Sequence, residues 1–369
     1  MNILYGVPGE GLGHATRSKV VIGHLLAQGH EVYVVSSSRA YQMLVAAFPG
    51  RVHEIRGFHL AYKGLAVSKL RTAVLTLRTA PEDLRVNFIK YRELLSDFEP
   101  EVVVSDFESF SYLFAKMRRL PIISIDNMQV ISRTELNVPV PKQERGNYNL
   151  AKSIVRAKLP RSRHYFVTTF FDLPLAKDDT TLVPPIIRSE ILAVTPTTGR
   201  HILVYQSATT QQNLVPLLQQ LPDQEFRVYG FNKEEDHGNV QLRAFSEAGF
   251  IADLANCRAV VTNGGFSLIS EAVFLHKPVC AIPIPAQFEQ WLNAAEIEKM
   301  GYGRHFAVIT ADNLRAFIYG LAGFETALAS YRQQGNEVLF GQLDALLKNI
   351  GTEHLPAEAA PQEASWGGE

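Results

Sequence analysis

The sequence predicts an α/β protein built from two Rossmann-like αβα domains that face each other across a central cleft. Short apolar runs alternate with longer stretches of helical periodicity, the pattern of a parallel sheet covered on both faces. The series stops at an aperiodic, proline-containing segment and then begins again. At about 150 residues per domain, a chain of 369 residues has room for two separate cores.

In the first half the strand-like runs are Ile3–Val7, Glu31–Ser36, Val52–Arg56, Val102–Ser105, Ile122–Asp126 and Phe166–Phe170. Helical periodicity fills the gaps, as at Thr16–Gln28 and Val86–Asp97. Asp178–Pro196 loses periodicity and carries Pro184-Pro185, which marks a boundary. A second series follows at Ile202–Tyr205, Phe226–Tyr229, Ala259–Val261 and Val279–Ile282. The expected division is residues 1–190 for the first domain and 191–323 for the second, with a C-terminal helix over 324–350 rejoining the first. Residues 352–369, rich in Ala, Glu, Pro and Gly, read as a disordered tail.

Composition narrows the class. Hydrophobic residues make up 46% and charged residues 20%, and 36 Lys+Arg against 37 Asp+Glu give a net charge of −1. That is ordinary globular composition, and it excludes a wholly basic nucleic-acid binder. Only Cys257 and Cys280 occur, both in apolar surroundings, which argues for a reducing cytoplasm rather than a disulfide scaffold. No run approaches the ~18 apolar residues of a membrane span. Met1–Val7 lacks a basic leader and stops at Pro8-Gly9, so it reads as a first buried strand rather than a signal segment.

The first strand runs into Pro8-Gly9-Glu10-Gly11-Leu12-Gly13-His14, ahead of a helix that carries Thr16, Arg17 and Ser18. Glycines let the backbone turn sharply and approach a ligand, and a helix N-terminus favours anions. The Gly11 and Gly13 spacing is not that of a dinucleotide fingerprint, and the second strand ends Ser36-Ser37-Ser38 without a ribose-binding acid. A nicotinamide site is therefore rejected. His14 is either a capping residue or a general base at the carboxyl edge of the sheet.

Val102–Ser105 ends in Asp106-Phe107-Glu108 at the same edge. Asp106 can accept the other ring N–H of His14, fixing its tautomer as in hydrolase triads. The alternatives are an N-cap for the next helix or one carboxylate of a metal pair, and no His/Cys/Asp cluster supplies further metal ligands. No metal and no cofactor are expected. Glu108 and the glycines of the first loop are candidate acceptor or phosphate contacts.

The second half concentrates its chemistry between Phe250 and Asn293. Asn263-Gly264-Gly265-Phe266-Ser267 leads from a strand into a helix and offers backbone N–H groups to a phosphate. Glu271 lies one turn on, suited to ribose hydroxyls or simply a solvated helix residue. Gln287, Glu289 and Gln290 follow the next strand and suit sugar hydroxyls. No module or aromatic-basic platform for nucleic acid is present.

In order and spacing, Phe250–Asn293 resembles the donor-binding region of inverting, two-domain (GT-B) nucleotide-sugar glycosyltransferases. The nearest resemblance is to the bacterial peptidoglycan-precursor N-acetylglucosaminyltransferases, whose glycine-rich, His-ending loop Gly9–His14 also resembles. A more distant one is to UDP-glycosyltransferases. The resemblance implies nucleobase contact by the backbone of Phe250 and Ile251, and ribose contact by Glu271. It places Gly264, Gly265 and Ser267 near the diphosphate, joined by Ser207, and Glu289 and Gln290 near the transferred sugar, with Asn263 and Gln287 as further donor-binding residues. UDP-glycosyltransferases usually have His where Asn263 stands, and retaining enzymes typically have Glu there. The implied reaction is metal-free, inverting transfer from a UDP-sugar to an acceptor hydroxyl, with His14 as base and Asp106 behind it. A UDP-sugar hydrolase or epimerase, for which Gly13–Arg17 offers a Gly-His-x-x-Arg pattern, and a non-catalytic nucleotide-sugar sensor are the alternatives.

Charge divides unequally. Residues 1–190 hold 25 Lys+Arg and 18 Asp+Glu, a net of +7, whereas residues 191–369 hold 11 and 19, a net of −8. Basic residues gather at Lys63–Arg92, Lys116–Arg119 and Lys152–Arg163, interleaved with Leu65, Leu70, Leu75, Ile154 and Leu159. Such stretches suit an anionic membrane surface or a lipid-linked acceptor, or form a solvated face over core-directed apolar residues.

Overall fold

A computed structural model of the chain describes residues 1–9, 11–56, 98–206 and 213–353. The expected helix Val86–Asp97, the basic stretch Lys63–Arg92, Ser207 and the tail beyond 353 lie outside the described residues.

Seven parallel strands form the first sheet: β1 (Asn2–Gly6), β2 (Glu31–Ser36), β3 (Val52–Glu54), β4 (Val102–Ser105), β5 (Ile122–Asp126), β6 (His164–Thr168) and β7 (Thr180–Val183). Their order is β3-β2-β1-β4-β5-β6-β7. The second sheet holds β8 (His201–Tyr205), β9 (Glu225–Tyr229), β10 (Glu235–Asp236), β11 (Val240–Leu242), β12 (Ala259–Thr262), β13 (Val279–Ala281) and β14 (Gly303–His305). Its order is β10-β11-β9-β8-β12-β13-β14, and only the edge strand β10 runs antiparallel. The expected two-domain α/β architecture is the one observed. Chain direction across each sheet reverses beside its first strand, between β1 and β4 and between β8 and β12. Doubly wound sheets bind ligands in the crevice at such points.

Local chemistry explains the elements. β4 and β5 are buried along their whole length, so they read as continuous apolar runs. The Leu12–Ala27 helix turns Ala15, Val21, Ile22 and Leu25 inward, but the same face also buries Arg17 and Ser18. This helix starts earlier than the periodicity suggested. Gly11, at φ +87°, reverses the chain and places His14 in the first helical turn rather than in the loop.

Two expectations are corrected. Thr180–Val183, read as part of an aperiodic boundary, is the seventh strand of the first sheet. The C-terminal helix expected over 324–350 is two helices, Leu321–Leu328 and Glu337–Glu353. Gly335 at φ +98° breaks the run, and Asn336 exchanges two hydrogen bonds with the backbone of Ile187 in the interdomain linker (2.7 and 2.8 Å). The last helix buries Leu339, Leu343, Leu347 and Ile350, at helical spacing, in the core of the first domain. There His24 Nε2 donates to Asp344 Oδ1 (2.8 Å) and the ring stacks on Phe340 at 3.9 Å between ring centroids.

The two domains touch through a shared apolar core. Phe170 lies 5.9 Å from Phe266, and Tyr148 5.0 Å from Phe288, between ring centroids. A Cβ on Gly13 would come within 2.5 Å of Ser267 Oγ. A side chain at position 13 would force Ser267 to turn or give way where the two domains meet.

Candidate active site

His14 follows β1 and Asp106 follows β4, and because these strands are neighbours the two side chains meet. His14 Nδ1 lies 2.9 Å from Asp106 Oδ1. Arg17, one helical turn after His14, grips both oxygens of Asp106, with Nε 2.7 Å from Oδ2 and Nη2 on Oδ1. Ser18 Oγ donates to Oδ2 at 3.0 Å. Asp106 is fully buried and Arg17 nearly so. Burial alone would raise the Asp106 carboxyl, but Arg17 and His14 hold it well below the usual carboxylate range. Burial, with help from Arg17 and against the pull of Asp106, lowers His14. A neutral ring whose Nδ1–H donates to Asp106 keeps a lone pair on Nε2, the property of a general base.

His14 opens on a cavity of about 380 Å³ between the domains. Its wall combines Phe107, Met128, Leu150, Ile154 and Phe288 with His14, Glu108, Lys158, Gln287 and Glu289. Two of these residues hold left-handed backbone: Phe107 at φ +60° and Ala286 at φ +68°. For a bulky side chain such as Phe107 that conformation is strained, and strain of this kind clusters at functional sites. Lys158 Nζ sits 4.1 Å from the centroid of the Phe107 ring.

On the second domain, Thr262 ends β12 and the chain turns through Asn263-Gly264-Gly265 into the Phe266–Phe274 helix, with Gly265 in the capping position. Gly264 adopts φ +93°, and a Cβ there would lie 2.9 Å from the Gln290 carbonyl. The turn therefore depends on glycine, and no side chain caps the N-terminus of the helix that follows. Among the described residues no three His, Cys, Asp or Glu side chains converge as a metal-binding set.

A family model described as glycosyl transferase family 1 matches residues 1–322. The chain belongs to this family. Two relatives described as uncharacterized glycosyltransferases agree: one from Methanosarcina mazei, 26% identical over 84% of this chain and 86% of its own, and one from Methanosarcina acetivorans, 25% identical over 84% and 86%. The fold matches the calicheamicin glycosyltransferase CalG4, with a TM-score of 0.66 at 14% identity over 96% of this chain and 100% of that one. It also matches the spinosyn rhamnosyltransferase SpnG complexed with thymidine diphosphate, with a TM-score of 0.61 at 16% identity over 95% and 100%. The architecture is thus that of the GT-B glycosyltransferases.

Within this family-1 glycosyltransferase, the residues singled out in the sequence fall into three groups. His14, Asp106, Gly11, Gly13, Glu108, Gln287 and Glu289 gather at or beside the cavity. Glu108 is there as the N-cap of the Ser109–Arg118 helix, its carboxylate accepting from Phe110 N (2.7 Å) and Ser111 N (2.6 Å). The cap considered for Asp106 is therefore Glu108. Glu289 Oε1 accepts from Asn127 (2.9 Å) and Asn293 (2.7 Å), and burial raises its carboxyl.

The second group is held by the protein itself. Gln290 accepts from Ile284 N (3.0 Å), and Asn263 donates to the Ile282 carbonyl (3.3 Å). Glu271 is not a solvated helix residue. It is buried in a two-point ion pair with Arg188 of the interdomain linker (2.8 and 2.9 Å), which also reaches Glu247 (3.0 Å). Burial raises the Glu271 carboxyl, and Arg188 opposes that rise. Ser267 faces Gly13 across the domain boundary.

The third group is a correction. Phe250 and Ile251 do not offer free backbone groups, because both lie inside the Glu247–Asn256 helix, which Ser246 caps. Phe250 N donates to the Ser246 carbonyl at 2.8 Å, and its ring packs edge-on against Tyr205 and Tyr229. The residue exposed at this sheet edge is Phe245, 55% accessible, beside a partly exposed Tyr205. Sequence reading also passed over Arg17, Asn127 and Asn293 as site residues. An Arg inside a helix ordinarily reads as solvated face, so only its place in the Gly-His-x-x-Arg pattern could have flagged it.

Proposed function

We propose that this glycosyltransferase moves a sugar from a pyrimidine nucleoside diphosphate, UDP foremost, to a hydroxyl of an amphipathic acceptor, with inversion at the anomeric carbon. The observation that supports it is the His14–Asp106 pair, opening on an interdomain cavity whose second-domain wall is Ala286, Gln287, Phe288 and Glu289. His14 Nε2 takes the proton of the acceptor hydroxyl while Nδ1–H stays on Asp106. The acceptor oxygen attacks the anomeric carbon from the face opposite the leaving group. The bond to the diphosphate oxygen breaks, and its electron pair leaves on the nucleoside diphosphate. The uncapped N-terminus of Phe266–Phe274, with Ser267 and Gly265, receives that developing charge.

Phe245 stacks the nucleobase in this reading, in place of the backbone of Phe250 and Ile251. The ribose hydroxyls use the carboxylate lone pairs of Glu271 that Arg188 leaves open. The SpnG structure contains thymidine diphosphate, which fits a pyrimidine donor. UDP and TDP are expected to raise the melting temperature of the wild type, and Phe245→Ala to bind them about tenfold more weakly, the worth of one aromatic stack at ~1–1.5 kcal/mol. Equal stabilisation of both proteins would remove Phe245 from the donor site. Mass spectrometry of a donor and acceptor panel tests the reaction itself. Complete donor hydrolysis without acceptor would replace transfer by hydrolysis.

The acceptor's apolar body lies against Phe107, Met128, Leu150, Ile154 and Phe288. Outside the cavity the Arg145–Lys158 helix carries Lys152 and Arg156, and Lys116 of the Ser109–Arg118 helix donates to the Arg161 carbonyl just beyond its end. No helix among the described residues is long and apolar enough to cross a membrane. This face would instead rest on an anionic bilayer. Flotation with phosphatidylglycerol vesicles, lost in high salt and absent with phosphatidylcholine alone, is the expected result. Equal flotation with both lipids would discard the electrostatic contact.

A further inference from the structure

The hydrogen bonds around His14 do not end within the first domain. Arg17 Nη1 donates to Asn127 Oδ1 at 2.6 Å, and Asn127 Nδ2 donates to Glu289 Oε1 of the second domain at 2.9 Å. Asn293 Nδ2 donates to the same Glu289 oxygen at 2.7 Å and to the Gly264 carbonyl at 3.0 Å. One unbroken series therefore runs His14–Asp106–Arg17–Asn127–Glu289–Asn293–Gly264, from the base to the turn that opens the donor-side helix.

We propose that Arg17 is a positioning residue that ties the base to the donor turn. Asn127, itself bonded to Glu289, holds one side of its guanidinium, and the other side fixes the Asp106 carboxylate that orients His14. The inference rests on His14 acting as base, as proposed above. A buried ion pair is by itself weak evidence for stability, because desolvation offsets its attraction. Here the guanidinium has a third arm, to Asn127, which in turn reaches Glu289 of the second domain, a link that an ion pair serving only stability does not need.

The geometry also makes the arrangement consequential. Arg17 Nη2 lies 2.8 Å from His14 Nδ1 as well as against Asp106. A guanidinium only donates. If Arg17 turned its N–H to Nδ1, the ring proton would move to Nε2 and the base would be lost. The pull of Asn127 on Nη1 keeps the guanidinium facing Asp106, so Nδ1 remains a donor. Docking of the second domain, which supplies Glu289, thereby completes the base.

The groups facing His14 are Asp106 from the loop after β4, Arg17 from its own helix and Lys158 from the Arg145–Lys158 helix. Glu108 and Glu289 line the same cavity. Arg17 and Lys158 both disfavour the imidazolium, so removing Arg17 makes His14 easier to protonate.

The test measures the His14 titration by NMR together with kcat and donor KM, in Arg17→Met, Arg17→Lys, Asn127→Ala and the Arg17→Met/Asn127→Ala double variant. Arg17→Met is expected to move the His14 midpoint and the acid limb of kcat/KM to higher pH, and to lower kcat by about 10²-fold, within the range for a displaced base. Arg17→Lys should restore the midpoint but not kcat. Asn127→Ala should raise donor KM about tenfold, and the two effects should be strongly non-multiplicative. An unmoved His14 midpoint in Arg17→Met, or independent multiplying effects, overturns the proposal. Where Arg17→Met does not fold, unchanged kcat and donor KM in Asn127→Ala overturns it. If no sugar is transferred but the His14 titration still follows Arg17, the proposed reaction fails and the link stands.

Discussion

Replacing His14 by alanine is expected to lower kcat by about 10²–10⁴-fold, the range for loss of a positioned general base, with little change in donor KM. The ring is partly exposed to the cavity and packs no large apolar surface, so the melting temperature should move little. The remaining rate would come from the donor-side helix and from holding the two substrates together. In the wild type the acid limb of the profile is expected below the ordinary histidine value of ~6.5, because burial and Arg17 disfavour the imidazolium against the pull of Asp106. The rate is thus present at neutral pH and falls as acid protonates Nε2. A His14→Ala rate within threefold of wild type, in steady-state transfer assays, would remove His14 from the chemistry.

Asp106→Asn combines two losses. It leaves the guanidinium of Arg17 buried without its anion, a defect worth about 3–5 kcal/mol, and it removes the acceptor that holds Nδ1–H. Both stability and kcat should fall, whereas His14→Ala affects kcat alone. The sign with pH follows from the carboxyl, which is held below its unfolded value. Its contribution is fully present above the unfolded pKa of ~3.9 and is lost as pH falls toward the folded value. Wild-type and Asp106→Asn stabilities, measured by urea unfolding, should therefore converge as the pH is taken below about 4. A stability gap constant from pH 7 to pH 3 would show that the carboxylate charge is not what stabilises the fold.

What the sequence made legible follows from burial. Strands enclosed on both faces, such as Val102–Ser105 and Ile202–Tyr205, appear as plain apolar runs. β7, β10 and β14 lie at sheet edges and are short, and Gly303-Arg304-His305 carries no apolar signal at all. The pairing was legible because His14 and Asp106 follow strands that are neighbours in the commonest doubly wound order. Arg188 on Glu271 and Asn127 on Glu289 were not. Each joins residues more than 80 positions apart, and no local pattern encodes which distant acid a buried Arg or Asn will meet. Phe250 was misplaced for a different reason. Ser246 starts the helix four residues before it, and that cap consumes the backbone groups the resemblance had assigned to the nucleobase.

The last helix has a consequence for how the chain comes to be folded. Leu339, Leu343, Leu347 and Ile350 complete a core whose other members begin at Ile3. On the ribosome these four side chains are made after the second sheet, which is complete by His305. Domains usually close in the order of their synthesis. Here that order is inverted: the second domain has all its strands before the first can shut, and the N-terminal sheet stays partly uncovered until Leu339–Ile350 have been made.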